Sequence, residues 1–586
     1  MSPRPARIAA VLDRIVLPIL VVAKLCVVAW GASRGFELGD EGFFLLNLND
    51  PAASPRFFEF YKLLLWLPGP HRFDVLDARW LHVGAEAVAS VALVGGVWAW
   101  ARRERFAPGT VSPLAFAASC GLGVFVSAAS RSLSYNDATN VCLQGAMGAL
   151  FAAAALGPGR PARLVGAVFV AGFLAGFQVF VKFPAALALA VLSLAALGGA
   201  LGRWTRRTRA GLLGAWLAGV LAAGALFVAA NGGVAPLSAK LAGAAEVGAL
   251  AGYDPVAMVR QSLGLEVWSG VNLLVLVAVF AVARLALRRF AGASDDVAFA
   301  GAALAGAAAM AATVRPLHAA FASASLTAFS CLVAFVSLAL LVVAWRARGA
   351  EPGAGPARGL APALVLLALP LAAWAGTNVP FVWRLPSHAF PAFVAIALLS
   401  HGLRARRGRV ATHAAVAALL ALVTSAVFVR HQLVSPYGLR APLWEQVHPD
   451  AGLPGMRVDL ASHRFLSEVA ETFADAGFRP GDPVVAMDYM PGLVFYLGGR
   501  SPGFPFYAFD REALNCFNLN RSGLVAPPWL ILGREVSEAQ RDCIEVFDLD
   551  RDFRLLRTLR FPYEDVYAGF GGRGLSHVTL WAPRSR

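Results

Sequence analysis

Thirteen stretches of this chain, each roughly 17–23 mostly apolar residues long, could cross a hydrocarbon core of about 30 Å as α-helix. They lie near residues 15–33, 79–100, 113–129, 138–156, 163–181, 184–201, 210–230, 270–288, 298–314, 320–345, 360–377, 388–403 and 411–430. A lipid-facing backbone must satisfy its own hydrogen bonds, and a helix does so within one segment. The sequence therefore predicts a polytopic α-helical membrane protein. Composition agrees, with 58% apolar and 15% charged residues. The pair of runs meeting at Lys182-Phe183-Pro184 is divided only by a proline, where a turn or kink is expected.

Cations set the expected orientation, because short cytoplasmic loops retain Lys and Arg. With Arg4, Arg7 and Arg14 inside, every second connection is an arginine cluster: Arg102/Arg103/Arg105, Arg160/Arg163, Arg203/Arg206/Arg207/Arg209, Arg284/Arg288/Arg289, Arg346/Arg348/Arg358 and Arg404/Arg406/Arg407/Arg409. This alternation predicts a cytoplasmic N-terminus and an extracytoplasmic C-terminal region, in the inner membrane of a bacterium. The first run reads as a retained helix rather than a cleaved signal peptide, since Lys24 interrupts it and no convincing small-residue cleavage site follows. The stretch 349–362 reads as a Gly/Pro-rich cytoplasmic loop.

A net charge of +15 invites a nucleic-acid reading, but its distribution argues otherwise. Residues 1–430 hold 35 Lys+Arg against 17 Asp+Glu, and residues 431–586 hold 16 against 19. The excess thus belongs to the hydrophobic part, as topological anchors, and excludes nucleic acid as the partner it implies. Two domains follow: a transmembrane domain over 1–430, with an interfacial element in its first outer loop (34–78), and a soluble domain over 431–586. In the latter, 463–476 has helical spacing and stops at Gly477, while 484–487, 529–532, 553–559 and 578–581 read as strands, a small α/β domain. Cys516 and Cys543 either close a disulfide loop worth about 3 kcal/mol or remain buried thiols. Cys26, Cys120, Cys142 and Cys331 lie in apolar runs, and no Cys/His metal spacing is present.

Ionisable residues at a membrane boundary are costly and point to function. The first outer loop opens Glu37-Leu38-Gly39-Asp40-Glu41-Gly42, with paired carboxylates just beyond the first helix. The second carries Arg131, Tyr135, Asn136 and Asp137, and further along lie Lys182, Arg315, His318, Arg384 and His388. Carboxylates beside cations suit a base for a nucleophile and a cradle for an anionic headgroup. Plainer readings stand beside these. Asp40-Glu41 as a hydrated turn, Asp137 as a helix cap, the cations snorkelling to lipid phosphates, and the histidines as interfacial hydrogen-bonding groups rather than metal ligands. The segment 55–67 suits a helix lying in the interface, and 231–268 suits a lid or a second such helix.

The order of these features resembles the GT-C glycosyltransferases, and most nearly the protein O-mannosyltransferase and aminoarabinose transferase superfamily. The likeness rests on Gly39-Asp40-Glu41-Gly42-Phe43 after the first helix, Ala78-Arg79-Trp80 opening the second, Tyr135-Asn136-Asp137, Gly176 with Lys182-Phe183-Pro184, and the tail segment from Asp488 to Arg500. It is best over the N-terminal half. The resemblance implies transfer of a sugar from a polyprenyl-phosphate donor to an acceptor on the outer face, inverting at the anomeric carbon. It places Asp40 beside the acceptor hydroxyl as base, with Glu41 and Asp137 as further catalytic candidates. Lys182, Arg315 and Arg384 would bind the departing phosphate, and Arg79, Tyr135, Asn136, His318 and His388 would be additional substrate contacts. Some relatives use a divalent metal; with no clear ligand set here, a metal is left unassigned. No residues mark the acceptor as lipid, glycan or protein. A transporter or flippase of a lipid-linked or anionic solute is the main alternative, but it would place charges at the midplane. A non-catalytic assembly subunit is the other, and would not need Asp40-Glu41.

Overall fold

The computed structural model describes residues 3–50, 59–64, 72–104, 106, 111–127, 131–156, 160–201, 205–250, 255–317, 324–346, 356–377, 379–407, 409–507, 511–569 and 574–584. Among these, seven helices are long and apolar enough to cross a membrane: Val75–Arg103, Tyr135–Leu156, Pro161–Gln178, Arg206–Ala230, Ser269–Phe290, Ser325–Arg346 and Val410–Val434. The pair Phe381–His388 and Phe390–Ala405, bent by 71°, adds an eighth span if taken as one. Phe183–Gly198 and Gly359–Trp374 are shorter apolar helices. Each of the thirteen apolar runs contains a helix, but composition and length alone do not carry all thirteen across. Outward faces carry exposed Val88, Val91, Leu187, Leu221, Leu274 and Leu285, a distribution that suits lipid as the solvent.

The third run departs most from expectation. Only Pro113–Gly121 is helical, and turns follow it. Lys24 explains how this break is tolerated inside the bundle. Its buried ammonium donates to the Leu122 carbonyl at 2.7 Å, satisfying an acceptor that the interrupted helix leaves open, and it lies 5.3 Å from the centroid of the Phe428 ring. The lysine that marks the first run as atypical is therefore a cap for a neighbouring helix. Helices Val75–Arg103 and Tyr135–Leu156 pack most intimately. A Cβ on Gly96 would lie 2.2 Å from the Gly148 carbonyl oxygen, so small residues set this backbone approach.

The acidic pair of the first outer loop starts a helix, Asp40–Asn49, rather than forming a hydrated turn. In the expected interfacial segment 55–67, Phe60–Leu64 is helical, and the rest lies outside the described residues. In 231–268, Val234–Leu250 is one helix, and Pro255–Phe290 runs on from its start as a single helix of 36 residues. Of the loop 349–362, residues from Pro356 onward already belong to helix Pro356–Trp374.

In the tail, the four predicted strands all form: β1 Val484–Ala486, β2 Trp529–Leu532, β3 Phe553–Arg560 and β4 His577–Pro583, in the order β1-β2-β4-β3. β1 and β2 are parallel and the other pairs antiparallel. Helix Leu460–Asp475 covers the sheet, with Asp459 capping its N-terminus and Gly477 in the left-handed region after its end. Cys516 and Cys543 are bonded, 27 residues apart. The tail is stitched to the segment that follows helix Leu17–Gly31: Arg457 N–H donates to the Ser33 carbonyl at 2.9 Å, and Gly35 N–H donates to the Arg457 carbonyl at 2.7 Å. One apolar core runs from Phe43, Phe44 and Leu45 of the loop helix into Leu493, Trp529 and Leu580 of the tail.

Candidate active site

The site begins with three carboxyl groups within five residues, which the fold gives three different environments. Glu37 accepts from Gly39 N–H at 2.6 Å and from Glu41 N–H, so it caps the Asp40–Asn49 helix with its own side chain. Burial, and then the neighbouring Asp40, push its carboxyl well above the ordinary range. Glu41 is buried in a two-pronged pair with Arg79: Nε to Oε1 at 2.8 Å and Nη2 to Oε2 at 2.7 Å. Ser132 Oγ adds a third donor at 2.8 Å. Arg79 spends its remaining N–H groups on the carbonyls of Ala32, Arg34 and Gly35. Of these three acids Asp40 alone is not buried.

Asp40 is held by two phenols of the tail. Tyr437 Oη donates to Oδ2 at 2.6 Å, and Tyr489 Oη donates to Oδ1. Burial and then the charge of Asp40 push both tyrosines well above their usual range, so they remain donors at any working pH. A carboxylate offers about four lone-pair sites, and Asp40 can therefore still accept from a substrate hydroxyl. Tyr489 and its neighbour Asp488 both lie in the left-handed region, at φ 63° and 59°. For side chains other than glycine that conformation costs about 1–2 kcal/mol each. Asp488 Oδ2 accepts from Gly533 N–H at 3.0 Å, and Tyr567 Oη donates to the Tyr489 carbonyl at 2.9 Å, which holds the turn. The following helix, Pro491–Tyr496, meets the acidic helix glycine to glycine. Gly492 N–H donates to the Leu38 carbonyl at 2.7 Å, and a Cβ on Gly42 would lie 2.2 Å from Gly492 Cα.

A cationic group acts on the same surroundings: the charge of Arg384 is felt at the Tyr135 phenol and opposes the rise of the Tyr437 phenol. Its buried Nε has no hydrogen-bond partner among the described residues, and neither has the buried Nε2 of His388. His388 Nδ1 is 2.7 Å from Asn140 Oδ1. Lys182 sits in the turn after Pro161–Gln178 and is buried. Its ammonium donates to Thr377 Oγ1 at 2.5 Å, to the Ala373 carbonyl at 2.7 Å and to Asn136 Oδ1 at 3.5 Å, and lies 5.9 Å from the Tyr135 ring centroid. All these acceptors are neutral. Burial, with the charge of Arg384 adding to it, pulls Lys182 down to about 7. Tyr135 in turn packs on Phe44, next to the acidic turn, with ring centroids 6.0 Å apart.

The predicted residues thus separate. Asp40, Tyr135, Asn136, Lys182, Arg384 and His388 gather around one end of the bundle, under the tail. Glu41 and Arg79 lie just behind, locked to each other. Asp137 is the fourth residue of a reciprocal cap: Ser134 N–H donates to its Oδ2 at 2.9 Å, and Asp137 N–H donates to Ser134 Oγ at 3.3 Å. Its Oδ1 is 3.4 Å from His82 Nε2. Arg315 belongs to helix Asp295–Leu317; its side chain and the whole of His318 lie outside the described residues. Sequence reasoning passed over Glu37, Tyr437 and Tyr489. Glutamate is not among the usual capping residues, and nothing local to either tyrosine points to a carboxylate hundreds of residues away.

No family model matches the chain, and no curated protein matches it. Among solved structures, the "Crystal Structure of ArnT from Cupriavidus metallidurans bound to Undecaprenyl phosphate" is similar to it at 14% identity, covering 96% of this chain and 97% of that one, with a TM-score of 0.41.

Proposed function

We propose that the chain is an integral-membrane glycosyltransferase that moves a sugar from a polyprenyl-phosphate donor to an acceptor hydroxyl or amine on the extracytoplasmic face. The observation that carries this reading is the partly buried Asp40 carboxylate, fixed by Tyr437 and Tyr489, at the same end of the bundle as a guanidinium and an imidazole whose buried nitrogens have no hydrogen-bond partner among the described residues. A carboxylate in that position takes the proton of the attacking group. Attack on the anomeric carbon opposite the leaving phosphate inverts that carbon in one displacement. Negative charge then builds on the phosphate, where Arg384 supplies a direct donor and Lys182 an adjacent buried charge. Glu41, Arg79 and Asp137 act one layer back, by holding the helix ends that present these groups.

The acceptor can be lipid, glycan or protein. A transporter reading is weaker, because the groups gathered around Asp40 lie at the tail-facing end of the bundle rather than midway along it. The test is a comparison of membranes with and without the gene by mass spectrometry of lipid-linked sugars and envelope glycans, paired with Asp40→Asn. Accumulated donor and a missing glycan, reproduced by Asp40→Asn with donor binding retained, support the reading. Wild-type glycosylation by Asp40→Asn refutes the base assignment.

A further inference from the structure

At the far end of the bundle from Asp40 lies a second polar cluster, which the transfer reaction leaves unused. Asp13 sits in the π-helical turn Leu12–Val16 of the first helix, His401 near the end of Phe390–Arg407, and His413 in the first turn of Val410–Phe428. All three are buried, with His401 at 1% exposure. His401 lies eleven residues into Phe390–Arg407, about 16 Å at 1.5 Å per residue from the bend that follows His388, so the cluster is separate from the candidate active site.

One ligand-type atom from each of the three lies within 4.8 Å of the others. The bonds around them divide inner from outer atoms. Asp13 Oδ1 is 2.9 Å from His413 Nε2, while Asp13 Oδ2 accepts from Arg404. His413 Nδ1 faces Ser400 Oγ at 3.4 Å. His401 Nε2 faces Ser119 Oγ at 3.1 Å, and its Nδ1, though buried, has no hydrogen-bond partner among the described residues. Each candidate ligand is thus oriented from behind by another polar group, as the outer partners of metal-bound histidines and carboxylates do. The unpartnered Nδ1 is what a purely structural hydrogen-bond network does not explain.

We propose that Asp13, His401 and His413 bind one divalent transition-metal ion of the zinc class, through Asp13 Oδ1, His401 Nδ1 and His413 Nε2. Two imidazoles and a carboxylate suit such an ion, with water in the remaining position. Binding needs His413 Nε2 free of its proton; the proton can reside on Nδ1, which then donates to Ser400. The ion would staple the first helix to the two helices that lead into the tail.

The test uses the full chain, freed of any affinity tag, stripped with chelator in detergent and titrated with Co²⁺ and Zn²⁺. We expect one equivalent of Co²⁺ with visible d–d absorption, displaced by Zn²⁺, and a rise in thermal midpoint with added Zn²⁺. His401→Ala leaves the Asp13–Arg404 pair intact and should weaken binding at least roughly 100-fold, by analogy with the losses from outer partners alone. His413→Ala should do the same. Failure of the folded wild-type chain to take up Co²⁺ overturns the proposal. So does undiminished uptake by both histidine variants.

Discussion

Replacing Arg79 by Leu tests whether this arginine touches substrate, as the motif resemblance implies, or braces the acidic helix, as its bonds indicate. The residue is 1% exposed and spends its guanidinium on Glu41 and three carbonyls. Removing one partner of a buried pair leaves the other charge uncompensated, at a cost of about 3–5 kcal/mol. The Arg34 carbonyl keeps a donor, Arg131 at 2.6 Å, so the carbonyls of Ala32 and Gly35 bear most of the remaining loss. A destabilisation of about 4 kcal/mol is expected, a factor near 10³ in the folding equilibrium. Arg79→Lys should recover only part of it, because an ammonium cannot reproduce two parallel N–H···O bonds. Glu41→Gln combined with Arg79→Leu should cost clearly less than the sum of the single changes, since no buried charge is then stranded. Unfolding by SDS in mixed micelles, followed by tryptophan fluorescence, provides the cycle. If Arg79→Leu unfolds like wild type while donor KM rises, the bracing role is refuted and the arginine belongs to the substrate.

Other expectations concern the pocket itself. Tyr437→Phe and Tyr489→Phe each remove a hydrogen bond to a charged group, worth about 1.5–3 kcal/mol, and should lower kcat roughly 10–100-fold with little change in donor affinity; unchanged kcat in both would show that Asp40 does not depend on them. Gly492→Ala puts a methyl 2.6 Å from Leu38 Cα and should separate the tail from the acidic helix, read as faster limited proteolysis after Val434 and lost activity; a protease-resistant, active variant contradicts the close approach. Burial lowers Lys182 to about 7, so its ammonium is present below that pH and lost above it. Donor affinity should accordingly fall between pH 6 and 8, and Lys182→Ala should flatten that dependence; an unaltered profile removes Lys182 from the phosphate site.

Much of the architecture was legible in the amino-acid order. Apolar runs mark the helices, because burial in lipid acts on local stretches of chain. Short runs rich in valine, leucine and aromatic residues, bounded by turn residues, mark the four tail strands, because burial against the tail's own core likewise acts on local stretches. The capping of Tyr135–Leu156 was foreseeable too, though it comes from Ser134 and Asp137 acting on each other rather than from Asp137 alone. Less legible was the break after Gly121. The Leu122 carbonyl at that break is satisfied by Lys24, 98 residues earlier, and no periodicity reports such a partner. The disulfide stood open for the same reason, since spacing permits Cys516 and Cys543 to pair without requiring it.

The sequence by itself determined a polytopic helical protein, its polar tail, and a short acidic segment as the place to look for chemistry. Only the tertiary structure decided which acid is available. Adjacent in sequence, Asp40 and Glu41 project in different directions from the first turn of one helix, so one meets Arg79 and becomes a brace while the other stays open to the pocket. The hydroxyls that hold Asp40 arrive from positions 397 and 449 residues away. Hydrophobic periodicity is a local property and can be read along the chain; the ionic and hydrogen-bonding partners of a buried side chain are set by packing between segments, and exist only once the chain has folded.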